Sequence, residues 1–122
     1  MSSYLGKKII LNFWAVWCGF CKAEFPYENR LYQQYKDKSL VVINICVDSD
    51  KESWVRNSKK YNLRMVYLYT DKGDYAKLLN QYNLSDLPRS VLLDGKGIVV
   101  DNYFKRASHL TERDIVNLIS SF

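Results

Sequence analysis

Two apolar runs constrain this chain more than any other feature. They are KKIILNFWAV (Lys7 to Val16) and LVVINICVD (Leu40 to Asp48). Both are rich in β-formers, and neither alternates apolar with polar residues as a strand with one wet face would. Strands of this kind need cover on both faces. From about Gly19 to Lys36, Phe25, Leu31, Tyr32 and Tyr35 recur at helical spacing. Pro26 lies inside that pattern and is expected to kink the helix, because it lacks an N–H and its ring crowds the preceding turn.

The later segments continue the alternation. Ser49 and Glu52 stand at capping-box spacing, so a helix is expected from there to about Tyr61. Met65 to Thr70 reads as a short strand. Asp71 to Asp74 (DKGD) reads as a turn, followed by a short helix marked by Tyr75, Leu78, Leu79 and Tyr82. RSVLLD and IVVDNYF flank Gly95 to Gly97 and read as a hairpin. Thr111 and Asp114 open a last helix with Ile115, Leu118, Ile119 and Phe122 on its apolar side. The order β-α-β-α-β-α-β-β-α predicts an α/β fold, with a mixed central sheet between helices in three layers.

The 122 residues suit one domain, 1–122, large enough to bury a core without staples. Formal net charge is +5, but the basic residues are scattered, with no block of five. That favours a solvated surface over nucleic-acid binding. No apolar run approaches a membrane span. The start MSSYLGKKII does not read as a signal peptide, since Asn12 interrupts its apolar run and no small-residue cleavage site follows. Met1, Ser2 and Ser3 are equally compatible with a domain trimmed from a longer chain.

Cys18 and Cys21 sit two residues apart just after the first apolar run. A structural zinc would need Cys46 and His109 as well, and these lie mid-strand and far down the chain. Haem attachment fails because position 22 is Lys rather than His. A purely structural disulfide closing so short a loop removes little unfolded-state entropy. Thiol–disulfide exchange fits best. A cysteine at a helix start meets the positive end of the helix dipole and unpaired N–H groups, which favour the nucleophilic thiolate. Cys18 is then the exposed attacker, and Cys21, one turn inside, the resolving thiol.

The stretch NFWAVWCGFCKAEFP (Asn12 to Pro26) resembles the active-site motif of the thioredoxin superfamily, and more closely its TlpA/ResA-like branch of bacterial thiol–disulfide oxidoreductases. Asn12 stands where thioredoxins proper carry a buried Asp, and Glu24 and Pro26 complete a C-x-x-C-x-x-E-x-P pattern. The passage from Lys51 to Tyr82 is similar to the longer middle section of the branch, while the first strand of a typical thioredoxin fold is absent or very short.

The resemblance implies a thioredoxin-like α/β/α domain that reduces or exchanges protein disulfides through a mixed disulfide. Its redox centre would be the cysteine pair itself, with no other cofactor and no metal. Its partners would be protein disulfides and an upstream thiol donor, and the chain would act as a monomer at the periplasmic or extracytoplasmic face of a bacterial membrane. Glu24 either faces water or approaches the cysteines as their proton partner, a role Asn12 cannot fill because it does not titrate. LPRSVLLD (Leu87 to Asp94) is similar to the family's X-Pro-Thr strand entry. That implies a cis Pro88 beside the sulfurs and a Leu87 backbone free to pair with substrate. Arg89, where Thr is usual, is either an exposed arginine or a cation near Cys18. Trp17 should border the site partly exposed, with Trp14 more buried, and Phe20 should add an apolar contact at the rim. Gly19 and Phe20, lacking the family's usual proline, leave the reduction potential open. Cys46 reads as inert core and His109 as a surface residue. Two alternatives stand beside this reading: an interaction module whose pair is only structural, and a thiol peroxidase, whose usual Pro and Thr or Ser before a lone Cys are missing.

Overall fold

The computed structural model describes residues 7–84 and 86–120. Among these, five strands form one sheet in the order β3-β2-β1-β4-β5. β1 (Lys8–Trp14) and β2 (Leu40–Cys46) run parallel at the centre, with Asn12 opposite Asn44. β3 (Val66–Tyr69) lies parallel outside β2, whereas β4 (Arg89–Leu93) and β5 (Val99–Phe104) run antiparallel on the other side. The expected mixed sheet is therefore present. Every residue of β1 and β2 is buried, as strands covered on both faces must be.

One face of the sheet (Ile10, Trp14, Val42, Cys46, Leu92) packs under α1 (Gly19–Tyr35) and α4 (Glu112–Ser120), with Trp54 and Tyr61 at α2 (Lys51–Lys60) joining from the side. The other face (Ile9, Leu11, Phe13, Ile43, Val91) packs against Tyr75, Leu78, Leu79 and Tyr82 of α3 (Lys72–Tyr82). Trp14 and Phe25 meet edge to face at 4.9 Å, joining β1 to α1 directly behind the cysteines.

Local starts depart from expectation in two places. Ser49 does not cap α2. Its hydroxyl donates to Val47 O and accepts from Val16 N, while Asp50 takes the cap and accepts from Ser53 N at 2.8 Å. The DKGD segment is not a free turn: Asp71 caps α3, which begins at Lys72. Pro26 lies within α1, which runs from Gly19 to Tyr35. The last helix opens as expected, with Thr111 and Asp114 exchanging hydrogen bonds in a capping box. Ile115 and Leu118 are buried on its apolar side, and Phe122 lies outside the described residues.

Candidate active site

β1 ends at Trp14, and a short turn carries the chain to Cys18, the N-cap of α1. Cys18 has extended backbone angles, and its Sγ accepts the backbone N–H of Cys21 at 3.2 Å. The sulfur thus stands where a capping oxygen would, facing the unpaired donors of the first turn. Cys18 and Cys21 are joined in a disulfide across a Cα–Cα distance of 5.3 Å. Cys18 is 6% exposed and Cys21 1%. The order matches expectation, but the level corrects it: in the disulfide form even the outer cysteine is nearly covered. An oxidised pair needs only an end-on approach to one sulfur.

The rim is formed by two exposed aromatics, Trp17 (62%) and Phe20 (77%). Trp17 Nε1 donates to Asp48 O, which fixes the indole across the β1–α1 and β2–α2 junctions. Trp14, by contrast, is fully buried. The antiparallel register sets Arg89 opposite Phe13, so Pro88 lies at the sheet end where β1 hands over to α1. The Leu87–Pro88 peptide is cis. Leu87 packs against the core cluster that includes both cysteines. Asp86, Leu87, Pro88, Arg106 and His109 line an open groove of about 400 Å³ on that side.

Arg89 is neither an exposed arginine nor a cation turned toward Cys18. It is buried, and it shares a sheet face with Phe13 and α3. Its guanidinium donates to the carbonyls of Tyr82 and Asn83 at 3.0 Å each and to Asn102 O at 3.4 Å, with the Tyr103 ring 4.1 Å away. Asn83, at φ 53, ends α3 in the left-handed region, and Arg89 ties off its last carbonyls. These bonds tie the segment after Pro88 to the end of α3 and to β5.

Glu24 does not face water. It is buried, and its two oxygens accept from the backbone N–H and the hydroxyl of Ser108, in the 3₁₀ turn Ala107–His109. It therefore lies one turn from Cys21 on the helix but is hydrogen-bonded to the 3₁₀ turn.

A buried polar row crosses the sheet beneath α1. Ser90 Oγ donates to Asn12 Oδ1 at 2.6 Å, Asn12 Nδ2 to Asn44 Oδ1 at 3.4 Å, and Asn44 Nδ2 to Glu28 Oε1 at 2.7 Å. Burial pushes the Glu28 carboxyl up to about 8, the Asn44 bond pulls the other way, and the charge of Glu24 adds to the rise. The sequence reading missed Glu28, Asn44, Ser90 and Ser108. Two signals were available: Glu28 follows Cys21 by two helical turns, and Asn44 interrupts an apolar strand as Asn12 does. Cys46 is buried, and burial pushes its thiol up to about 11, with the Asp50 charge adding and a Ser49 bond opposing. Among the described residues no group of three or more His, Cys, Asp or Glu is arranged to hold a metal, and no helix is long and apolar enough to cross a membrane.

A mixed sheet between helices, with a cysteine pair at the start of the helix after the central strand and a cis-proline entry to the next antiparallel strand, defines a thioredoxin-fold protein. The chain belongs to the Redoxin family, whose model matches residues 1–119. It is 38% identical over 96 residues to the thiol-disulfide oxidoreductase ResA of Bacillus cereus, covering 79% of this chain and 54% of that protein. It is 32% identical to ResA of Bacillus subtilis, covering 98% of this chain and 65% of that one. The chain thus spans about half to two thirds of the length of these curated relatives. The thioredoxin domain of a thiol-disulfide oxidoreductase from Bacteroides vulgatus superposes with a TM-score of 0.78, over 98% of this chain and 81% of that one. At 24% identity, that likeness speaks for the fold alone.

Proposed function

We propose that this chain is a thiol–disulfide oxidoreductase that reduces protein disulfides with the Cys18–Cys21 pair. The observation that carries the reading is Cys18 Sγ at the N-cap of α1, bonded to Cys21 and accepting its backbone N–H. In the reduced form, the donors that meet the sulfur also meet a thiolate there. Cys18 thiolate attacks one sulfur of a substrate disulfide and expels the other as thiolate. Cys21 then attacks Cys18 Sγ, closing the disulfide and releasing the reduced substrate, so two electrons pass to the substrate. An upstream dithiol returns the pair to its reduced form.

Substrate binding is assigned to Trp17 and Phe20 at the rim, and to the Leu87 backbone, which would pair with an extended polypeptide beside Pro88. Arg89 supports that segment from the opposite face of the sheet. Glu24, one turn from Cys21, accepts the proton that Cys21 releases once the substrate rearranges the Ser108 contact. The likeness to the TlpA/ResA branch supports a monomeric domain working on the extracytoplasmic side of a bacterial membrane.

The test is insulin-type disulfide reduction by the pre-reduced chain. Cys18→Ser should abolish turnover, and Cys21→Ser should accumulate a mixed disulfide with substrate on non-reducing gels. The opposite pattern reverses the two roles. A wild-type chain that turns over no disulfide at all would make the pair structural and the domain an interaction module.

A further inference from the structure

Cys21, Glu24, Phe25, Glu28 and Leu31 form the buried stripe of α1. Helical rise sets Glu24 about 4.5 Å and Glu28 about 10 Å along the axis from Cys21. Two carboxyl groups one turn apart on a dehydrated face do not both ionise cheaply, and their surroundings decide which one holds the proton.

The hydrogen bonds around them differ in kind. Both Glu24 oxygens accept from Ser108, as an ionised carboxylate does. Glu28 lies at the end of a directed row. The Ser90 hydroxyl donates to Asn12, the Asn12 amide to Asn44, and the Asn44 amide to Glu28 Oε1. Each amide is thereby oriented by the one before it. The row brings one neutral donor to one oxygen of Glu28 and leaves the acid proton for the other. The cross-strand register holds Ser90, Asn12 and Asn44 in line, so the row is built into the sheet.

We propose that Glu28 is a positioning residue for the exchange reaction: buried one turn from the Glu24 carboxylate, and given a single donor where Glu24 has two, it stays a neutral acid behind Glu24, so that Glu24 alone carries charge one turn from Cys21. This rests on the proposed exchange chemistry and on Glu24 as the proton acceptor within it. The proton balance is simple. Cys18 thiolate forms a bond to a substrate sulfur and the leaving sulfur departs as thiolate. Cys21 gives its proton to the Glu24 carboxylate and attacks Cys18 Sγ. The second substrate sulfur leaves as thiolate and takes up a proton, returned from Glu24 through water. Glu28 gains and loses nothing in this cycle. Were it ionised, its charge would oppose formation of the Cys21 thiolate.

The other ionisable groups of α1 are Cys21, Lys22, Glu24, Tyr27, Arg30, Tyr32 and Tyr35; around it stand Lys8 on β1, Cys46 on β2, Tyr61 beyond α2, His109 in the 3₁₀ turn, and Glu112, Arg113 and Asp114 on α4. Lys8 is held by Leu118 O, and Asp114 by Lys105 and Thr111. The charge that bears on Glu28 is that of Glu24.

The experiment is the rate of resolution of a Cys18 mixed disulfide with a small aromatic thiol, from pH 6 to 10, in wild type and Glu28→Gln. Glutamine is neutral and can still accept from Asn44. The wild type should fall behind Glu28→Gln above about pH 8, by up to about tenfold, the reach of a unit charge over ~10 Å at an effective dielectric near 20. Profiles that superimpose through pH 10 would overturn the proposal. A second readout needs neither turnover nor a variant: carboxyl NMR titration of Glu28 in the oxidised and reduced wild type. Glu28 should titrate higher in the reduced form, where thiolate charge is added, and equal values in both forms would overturn the coupling. Glu24→Gln keeps the two failures apart. An unchanged resolution profile there refutes Glu24 as acceptor, whereas the Glu28 titration, moved down by loss of the Glu24 charge, still reports on the pair. Absence of any exchange by the wild type refutes the functional reading instead.

Discussion

Three cysteines in one small domain meet three different environments. Cys18 faces the open first turn of α1, Cys21 lies one turn inside, and Cys46 is sealed in β2. Desolvation acts against the thiolate at Cys46 and raises it to about 11, so almost none is ionised near neutrality. The reduced protein should therefore show one fast-alkylating cysteine, Cys18, at pH 8. Cys46 should stay unmodified for hours and react only in denaturant. Mass spectrometry of the digested protein after iodoacetamide treatment checks this, and rapid native labelling of Cys46 would contradict its buried placement. At the same scale, Trp14 and Phe25 fill the space behind the disulfide. Phe25→Ala should cost about 3–5 kcal/mol by removing a fully buried ring, read by urea denaturation.

The helices owe their positions to ends as much as to faces. Asp50, not Ser49, caps α2. Asp50→Ala should then lower the melting temperature through loss of the cap. Ser49→Ala should act elsewhere, because it strips the Val16 N–H of its acceptor in the turn leading to Cys18. Thermal melts show the stability loss in both, whereas a changed exchange rate is expected only for Ser49→Ala. At α3, Arg89 gathers three carbonyls from the helix end and β5. Arg89→Ala should destabilise by about 2 kcal/mol, since the charge-assisted hydrogen bonds to three carbonyls are lost, although Tyr82 O keeps the Asn102 amide. Lysine should not restore it, because a single ammonium cannot reproduce the planar fork. Arg89 shows the limit of reading an element from sequence. Its position after Pro88 was plain, but which face of β4 it takes depends on the register with β1.

For the whole molecule, Glu28 links folding to pH. Its carboxyl rises from 4.5 to about 8 on folding. Below pH 4.5 both folded and unfolded chains hold the proton, and burial carries no ionisation penalty. Between pH 4.5 and 8 the unfolded chain releases the proton while the folded chain retains it, so the unfolded state is increasingly favoured. Above about 8 both are ionised and the slope ends. Stability should fall across that window by up to about 1.4 kcal/mol per pH unit from this group alone. Glu28→Gln should flatten the curve and be the more stable protein at pH 8. Denaturant midpoints at pH 5, 6.5 and 8 read the difference, and parallel curves for the two proteins would remove Glu28 as the cause.

Residue order alone determined the succession of strands and helices, the hairpin at Gly95–Gly97, and the placement of Cys18 and Cys21 at a strand-to-helix junction. These rest on hydrophobic period and turn chemistry, which are short-range and written within a few residues. The Asp71 cap was misread as a turn because Asp favours both, and only the backbone that follows separates them. The partners of the site were decided by tertiary structure. Glu24 meets Ser108 across 84 positions, Ser90 meets Asn12 across 78, and Asn44 meets Glu28 across 16. Whether a carboxyl is a solvated charge or a neutral acid depends on what the folded chain stacks over it. That is why Glu28, whose spacing from Cys21 marks its face of α1 but not its protonation, emerges as an acid only once the helix lies on the sheet.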